Sequence, residues 1–483
     1  MGILEKYDTE RGLDYRNFNG GSIDITEPAT GEILGQYNIA TDQEVDEIVA
    51  ATKIAQVDWA ANDFSARSKV LLRFARLLEE NADTITTWNK RECGSTPLKA
   101  GWELQACIDQ AYMCAAMCHQ SIGEIFPSTI PGRENQYLRV PVGVVGVISP
   151  WNFPLVLSLR SVLPALAMGN AVVMKPDLHS SVTGGLLISA LMEEAGLPES
   201  VCSLVLGGAE IGQAIVEHSD VKMVAFTGSS AVGRQIGEIC GRLLKKTALE
   251  LGGNNAFVVL DDADITAASS CAAWGSFLHQ GQICMQSGRH IIHESIADLY
   301  IEYLKKRAES LPVGNPHLED VQVGPLINDK QAERVERLVK ESVAMGAVVV
   351  CGGKRSGRYF PPTVIKNVTV DMPIFNQEIF GPVAPVVTFK TDSEAVGLVN
   401  DSDYGLAAAI HSRDLGRARG IAQQLQVGMI HINDQTVNNE YHVPFGGVKA
   451  SGSASRFGGP ANMEEFTEKR WISSIETPLV YPF

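Results

Sequence analysis

A chain of 483 residues exceeds what a single hydrophobic core comfortably serves, so two large lobes are expected. With 45% hydrophobic and 20% charged residues it has ample apolar material for a buried core, which excludes a disordered chain. Lys plus Arg number 40 against 56 Asp plus Glu, and the resulting formal charge of −16 repels phosphates and anionic lipid, excluding nucleic acid and membrane surfaces as partners.

The chain starts Met-Gly-Ile-Leu-Glu-Lys-Tyr-Asp, with no apolar secretory stretch and with Lys6 where a myristoylation signal has Ser or Thr, so a cytoplasmic protein is expected. From about Asp42 to His119 the pattern is helical, with the apolar residues of the run from Val70 to Leu78 recurring on one face. Cys114, Cys118 and His119 invite a metal reading, but the two cysteines sit at helical spacing in an Ala/Met-rich run, and packed thiols with no metal are expected. Nine cysteines at irregular spacing, with no export signal, imply reduced thiols.

From Gln136 to Ile148 the texture turns to β, and short apolar runs then alternate with helix-length segments, predicting a parallel sheet. The runs from Ala171, Ser203, Met223 and Ala256 form a first doubly wound set. A second begins near Ala263, with strands predicted at His290–His293, Ala347–Cys351, Pro382–Val387, Ala407–Ile410 and Gly428–Ile432. No linker separates the two, so packed lobes with a ligand cleft between them are expected.

Several residues stand where chemistry is feasible. Cys284 lies in Gln280-Gly-Gln-Ile-Cys284, at a turn after a helical run, where a thiolate can attack a carbonyl; the alternative is an inert core thiol. Glu250, at a strand end before Leu251 and paired glycines, becomes a general base if buried and a solvated strand-end carboxylate if not. Gly228 and Gly233 flank a strand-to-helix turn that can aim N–H groups at a pyrophosphate, although it is not the G-x-G-x-x-G fingerprint. Asn152, between Pro150 and Pro154, is placed to donate to an oxyanion or to act as a turn residue, and Lys175 ends a strand.

Taken together, Pro150-Trp-Asn-Phe-Pro154, Gly169-Asn-Ala-Val-Val-Met-Lys-Pro176, Phe226-Thr-Gly-Ser-Ser-Ala-Val-Gly233, Glu250-Leu-Gly-Gly-Asn254, Gln280-Gly-Gln-Ile-Cys284, Glu378-Ile-Phe-Gly-Pro382 and Pro444-Phe-Gly-Gly-Val-Lys-Ala-Ser-Gly452 resemble the aldehyde dehydrogenase superfamily. The resemblance runs in order from about Asp24 to Phe483. It implies an α/β fold of two doubly wound lobes plus a small β oligomerisation arm: a dinucleotide-binding domain at 1–121 and 140–250, a catalytic domain at 251–435, an arm at 122–139 and 470–483, and a return segment at 436–469. It further implies oxidation of an aldehyde to an acid with NAD or NADP. Cys284 is the nucleophile, Asn152 holds the oxyanion with the Cys284 backbone N–H, and Glu250 activates water.

Cofactor contacts implied by the same resemblance are Ser149, Pro150, Trp151, Lys175, Gly228, Ser229, Gly233, Leu251, Gln331, Glu378 and Phe380. The substrate pocket is Phe153, Leu157, Arg160, Ile283, Met285 and Phe445, and a homodimer or homotetramer is implied. Leu178 stands where NAD-preferring members carry a ribose-binding Glu, so both cofactors are expected to serve, with NAD preferred. The subgroup resembled is that of benzaldehyde and vanillin dehydrogenases, and an aromatic aldehyde is the expected substrate. Arg160 replaces an aromatic residue of many relatives and is expected to discriminate ring substituents; the alternative is a structural arginine buried against a carboxylate. A coenzyme A-acylating relative is disfavoured by Glu250, and a catalytically idle scaffold by the intact Cys284, Glu250 and Asn152.

Overall fold

The computed structural model describes residues 18–483, so the reading of the first eight residues lies outside it. Strands β1 (Ser22–Thr26) and β2 (Ile33–Asn38) pair antiparallel and lead into four successive helices between Asp42 and Met117. Three of these start where the sequence supplies a cap: Thr41 and Glu44 form a capping box, Asp63 accepts from the Ala66 N–H, and Thr96 caps a turn opened by Pro97. The run from Val70 lies in the helix Phe64–Glu80 and buries Leu71, Phe74, Leu77 and Leu78. Cys114 and Cys118 are packed thiols, the Cys118 Sγ donating to the carbonyls of Cys114 and Ala167.

Strands β3 (Gly123–Phe126) and β4 (Arg133–Pro141) form a hairpin apart from both lobes. The β stretch expected from Gln136 to Ile148 is therefore two strands: Gly143, at φ +124°, turns the chain out of the hairpin and into β5 (Val144–Ser149). With β6 (Ala171–Pro176), β7 (Cys202–Leu204), β8 (Val221–Thr227) and β9 (Lys246–Glu250), it builds a parallel sheet in the order β7-β6-β5-β8-β9. The order reverses between β5 and β8, the switch point where open α/β sheets bind ligands at their carboxyl ends.

The second lobe holds β10 (Asn255–Val259), β11 (Ser287–His293), β12 (Val348–Cys351), β13 (Thr363–Lys366), β14 (Val383–Phe389), β15 (Tyr404–Gly405), β16 (Ala407–His411) and β17 (Met429–Ile432). All but β15 join one sheet, ordered β12-β13-β14-β11-β10-β16-β17, parallel except for the edge strand β12. The run from Ala256, expected in the first sheet, is instead central here, and the second lobe starts at Asn255 rather than near Ala263. A strand buried on both faces reads alike in either sheet, so its hydrophobicity could not assign it.

The chain then returns through β18 (Val448–Lys449), paired with β15, and β19 (Thr467–Ile475), which pairs with β4 along nine residues and completes a three-stranded arm. One core covers the five-stranded sheet and two flank the seven-stranded one. A fourth small cluster, of Phe153, Leu157, Ile283, Met285, Leu406, Val437 and Phe445, joins residues of both lobes, with Cys284 packed against it. Among the described residues no helix is long and apolar enough to cross a membrane.

Candidate active site

Cys284 lies on a loop whose shape is forced from outside. His279, Gln280 and Gly281 have φ of 48°, 55° and 67°, a left-handed run that two side chains adopt only under constraint. At Gly281 the reason is steric, since a Cβ there would stand 2.2 Å from the Gly381 carbonyl oxygen. Glutamines supply the rest: Gln280 Nε2 donates to the Gly94 carbonyl at 2.9 Å, Gln282 Oε1 accepts the Ile327 N–H at 3.0 Å, and Gln286 Nε2 reaches the Gly381 carbonyl. Asn255 Nδ2 holds the Cys284 carbonyl at 2.8 Å, and Gly253 admits that carbonyl where a Cβ would come within 2.4 Å.

Glu250 ends β9, paired with Thr227 of β8. Its side chain is buried and neither carboxylate oxygen has a hydrogen-bond partner among the described residues. Burial pushes its pKa up to about 8 against the pull of the Arg160 and Arg456 guanidiniums, which makes it a base competent near neutral pH. Burial likewise pushes the Cys284 thiol up to about 12; Arg160 opposes this, while Glu378 and Glu250 add to it. The free protein thus presents a neutral thiol, and attack on a carbonyl requires its proton to leave.

Asn152 is buried just before the helix Pro154–Ala167, one amide N–H donated to the Gln282 carbonyl at 2.9 Å, two residues before Cys284. That helix lacks a side-chain cap of its own; instead Glu103 Oε1 accepts from the backbone N–H groups of Leu155 and Val156 at 2.9 and 3.1 Å. The Glu103 carboxylate is fixed in turn by Lys99 at 2.6 Å and Asn89 at 2.7 Å. Sequence reasoning passed over this bracket, because its members lie on helices read as structural.

A cavity of about 520 Å³ opens at the carboxyl ends of β5, β6 and β8. Ser149, Pro150, Trp151, Lys175, Gly228 and Ser229 line it, together with Leu178 and the start of the helix Ala209–Glu217. Ser229 caps the helix Ser230–Arg242, and a Cβ on Gly233 would stand 2.3 Å from Leu251 Cδ2, so these two residues bring helix and strand into close contact. Two helix N-termini, one buried lysine and apolar walls such as Val232 and Ile236 fit a dinucleotide.

Glu378 sits between the lobes, one oxygen accepting the Gly253 N–H at 2.9 Å, and burial pushes its pKa up to about 7. Phe380, at φ 52°, stands edge-on to Trp151 with ring centroids 5.6 Å apart. Gln331 does not line the cavity: its amide donates to the Phe380 carbonyl at 2.7 Å and so supports the strained turn from behind. Arg334, which sequence reasoning missed, holds the Glu378 and Ile379 carbonyls at 2.6 and 2.9 Å.

Of the expected substrate residues, Phe153, Leu157, Ile283, Met285 and Phe445 form the cluster around Cys284, and Arg160 lies behind Phe445. A separate cavity of about 390 Å³ shares Leu278 and Val437 with that cluster and is walled by Trp102 and Trp274, with Asn438 and Asn439 at its polar side. None of its lining residues belongs to the 520 Å³ cavity, so the two cavities are separate.

A crevice at a switch point, together with a half-buried thiol and a buried carboxylate that has no hydrogen-bond partner among the described residues, defines a cofactor-dependent oxidoreductase. Comparison with known proteins agrees and is more specific: the chain belongs to the aldehyde dehydrogenase family, which it matches over residues 15–472, and is an NAD(P)-dependent enzyme. It is 51% identical over 464 residues to the benzaldehyde dehydrogenase [NAD(+)] of Pseudomonas putida, covering 96% of this chain and 95% of that one. It is 47% identical over 465 residues to a vanillin dehydrogenase of Amycolatopsis sp., covering 96% of each. Its fold superimposes on a salicylaldehyde dehydrogenase from Pseudomonas putida G7, solved with salicylaldehyde, with a TM-score of 0.93, 35% identity and 96% of each chain covered.

Proposed function

We propose that this chain oxidises aromatic aldehydes of the benzaldehyde and vanillin type to their acids, with Cys284 as nucleophile, Asn152 as oxyanion donor and Glu250 as hydrolytic base. The observation that carries the chemistry is the buried Glu250 carboxylate, without a hydrogen-bond partner among the described residues and close enough to Cys284 to act on its charge. The aromatic preference rests on the names of the relatives and on the ring-walled cavity of Trp102 and Trp274 beside the thiol's cluster.

The Cys284 thiol loses its proton to solvent, and Sγ bonds to the carbonyl carbon as the C=O electron pair moves onto the oxygen to give an alkoxide. The second Asn152 amide N–H and the Cys284 backbone N–H stabilise that oxygen. Lys175 and the two helix N-termini would hold a nicotinamide dinucleotide, which when bound would supply the hydride acceptor that makes this an oxidation. Glu250 then takes a proton from water as its oxygen bonds to the thioester carbon, and the C–S bond breaks to return the thiolate.

With a neutral residue at Leu178, either cofactor is accepted and NAD is preferred. The arm exposes Ile125, Phe126, Tyr137 and Trp471 on its surface, the apolar face on which a second copy packs to form a dimer or tetramer. The substrate reading is tested by kcat/KM for benzaldehyde, vanillin and hexanal with each cofactor. Both aromatic substrates should exceed hexanal at least tenfold; parity would overturn the aromatic assignment and leave the family chemistry untouched.

A further inference from the structure

Arg160 stands on the helix Pro154–Ala167, and its guanidinium is buried without an ion-pair partner among the described residues. Nη2 donates to Thr227 Oγ1 at 2.7 Å, the Nε–H has no acceptor, and the central carbon lies 4.8 Å from the Phe457 ring centroid and 5.2 Å from that of Phe445. A buried cation without a carboxylate in contact is expensive to retain for packing alone. The alternative of an arginine paired with a structural carboxylate therefore does not describe it.

Its anchors lead to the two reacting groups. Thr227 is the cross-strand neighbour of Glu250. Phe445 belongs to the cluster around Cys284, and a Cβ on the next residue, Gly446, would stand 2.8 Å from Glu250 Oε1. We propose that Arg160 is the fixed counter-charge of the chamber, a positioning residue that stabilises first the Glu250 carboxylate and then the Cys284 thiolate as thioester hydrolysis moves one negative charge between them. This rests on the hydrolytic reading of Glu250.

The step conserves charge. Water gives a proton to the Glu250 carboxylate and its hydroxyl to the acyl carbon, the C–S electron pair departs on Cys284 Sγ, and the acid leaves. One unit of negative charge is present before and after, so one immobile cation facing both sites serves throughout. A mobile lysine or a water would have to reorganise as the charge moved.

Each group faces other charges. Glu250 faces Arg160, Arg456 and Glu465; Cys284 faces Arg160, Glu378 and Glu250. Arg456 Nη1 donates to the carbonyls of Gly447 and Ser455 at 3.1 and 2.8 Å, and the buried Nε–H of Arg160 has no acceptor among the described residues. After burial itself, Arg160 is the largest influence on both groups, and it favours the charged form of each.

The test is the pH dependence of kcat for benzaldehyde with saturating NAD in the full chain, for wild type, Arg160→Lys and Arg160→Gln, with thermal unfolding as a folding control. In Arg160→Gln the acidic limb should move up by about one unit or more, and in Arg160→Lys it should stay within about half a unit of wild type. Alkylation of Cys284 by iodoacetamide at pH 8, followed on the mapped peptide, should slow about tenfold in Arg160→Gln. An unmoved limb and unchanged alkylation, with only KM raised, would show a residue that shapes the pocket and would overturn the inference, as would failure of Lys to restore the limb. If Arg160→Gln does not fold, Thr227→Val, which removes the Nη2 anchor, replaces it; the same upward displacement supports the inference and an unmoved limb overturns it. Glu250→Gln separates the two readings: full steady turnover there would sink the hydrolytic base itself, whereas lost turnover beside an unmoved limb in Arg160→Gln sinks only the counter-charge.

Discussion

The helical bracket beneath the helix Pro154–Ala167 and the chamber around Cys284 both bury carboxylates, and they treat them in opposite ways. In the bracket, Glu103 accepts from two backbone N–H groups, Asn89 and Lys99, and nearby Glu92 accepts from the Val182 and Thr183 N–H groups and the Thr183 hydroxyl. In the chamber, Glu250 accepts from nothing among the described residues. Burial raises Glu92 to about 7 and Glu250 to about 8, so a perturbed pKa alone does not mark a reactive group. The partners do: a saturated carboxylate fixes the backbone around it, and a bare one keeps its lone pairs for a water.

The largest expected effect lies in the bracket. Glu103→Ala strands the Lys99 ammonium, which has no exposed surface, and uncaps the helix that follows Asn152. Loss of one partner from such a buried pair costs about 3–5 kcal/mol, so urea unfolding should show that drop in stability. A change under 1 kcal/mol would mean that the bracket is incidental.

Glu250→Gln should do the reverse, cutting steady-state kcat by about 10² or more while the first turnover still releases a burst of reduced cofactor. It should also stabilise the fold. The folded pKa, about 8, lies above the ordinary 4.5, so the folded state binds the proton more tightly; wild-type stability is complete below pH 4.5 and is lost as pH rises toward 8. Glutamine has no such titration. The difference in unfolding free energy in favour of Glu250→Gln should therefore widen between pH 5 and pH 8, by an amount on the order of a few kcal/mol. A constant difference across that range would place the Glu250 carboxylate in contact with solvent.

The same contrast explains what could be read from sequence. The parallel sheets were legible because their strands are continuous apolar runs, and the crevice at their carboxyl ends because it is made of strand ends and glycines adjacent in sequence. The run from Ala256 was misassigned because nothing local distinguishes two sheets, and β13, only four residues long, gave no signal. Cys284, Glu250 and Asn152 come from three distant segments, and only the resemblance of whole motifs brought them together. Arg334, Glu103 and Lys99 were invisible: each acts through partners 44 or more residues away or inside a helix that reads as ordinary. The role of Arg160 depends on two phenylalanine rings almost three hundred residues downstream, roughly the separation at which periodicity carries no information.

The smallest effect belongs to the rim of the crevice, where solvent weakens any charge that is introduced. Asp177 lies beside Leu178 on the cavity wall, and its Oδ1 is held by the His179 ring at 2.8 Å and the His179 N–H at 2.9 Å. Leu178→Glu would add an uncommitted carboxylate on the cavity wall, able to accept from ribose hydroxyls and to repel a 2′-phosphate. kcat/KM with NADP should fall about tenfold, while that with NAD changes no more than about threefold, a modest loss because the position is only half buried. Equal losses with both cofactors would mean that residue 178 packs against the adenosine without facing its ribose, and cofactor choice would then have to be sought elsewhere on the wall, with Lys175 the first place to look.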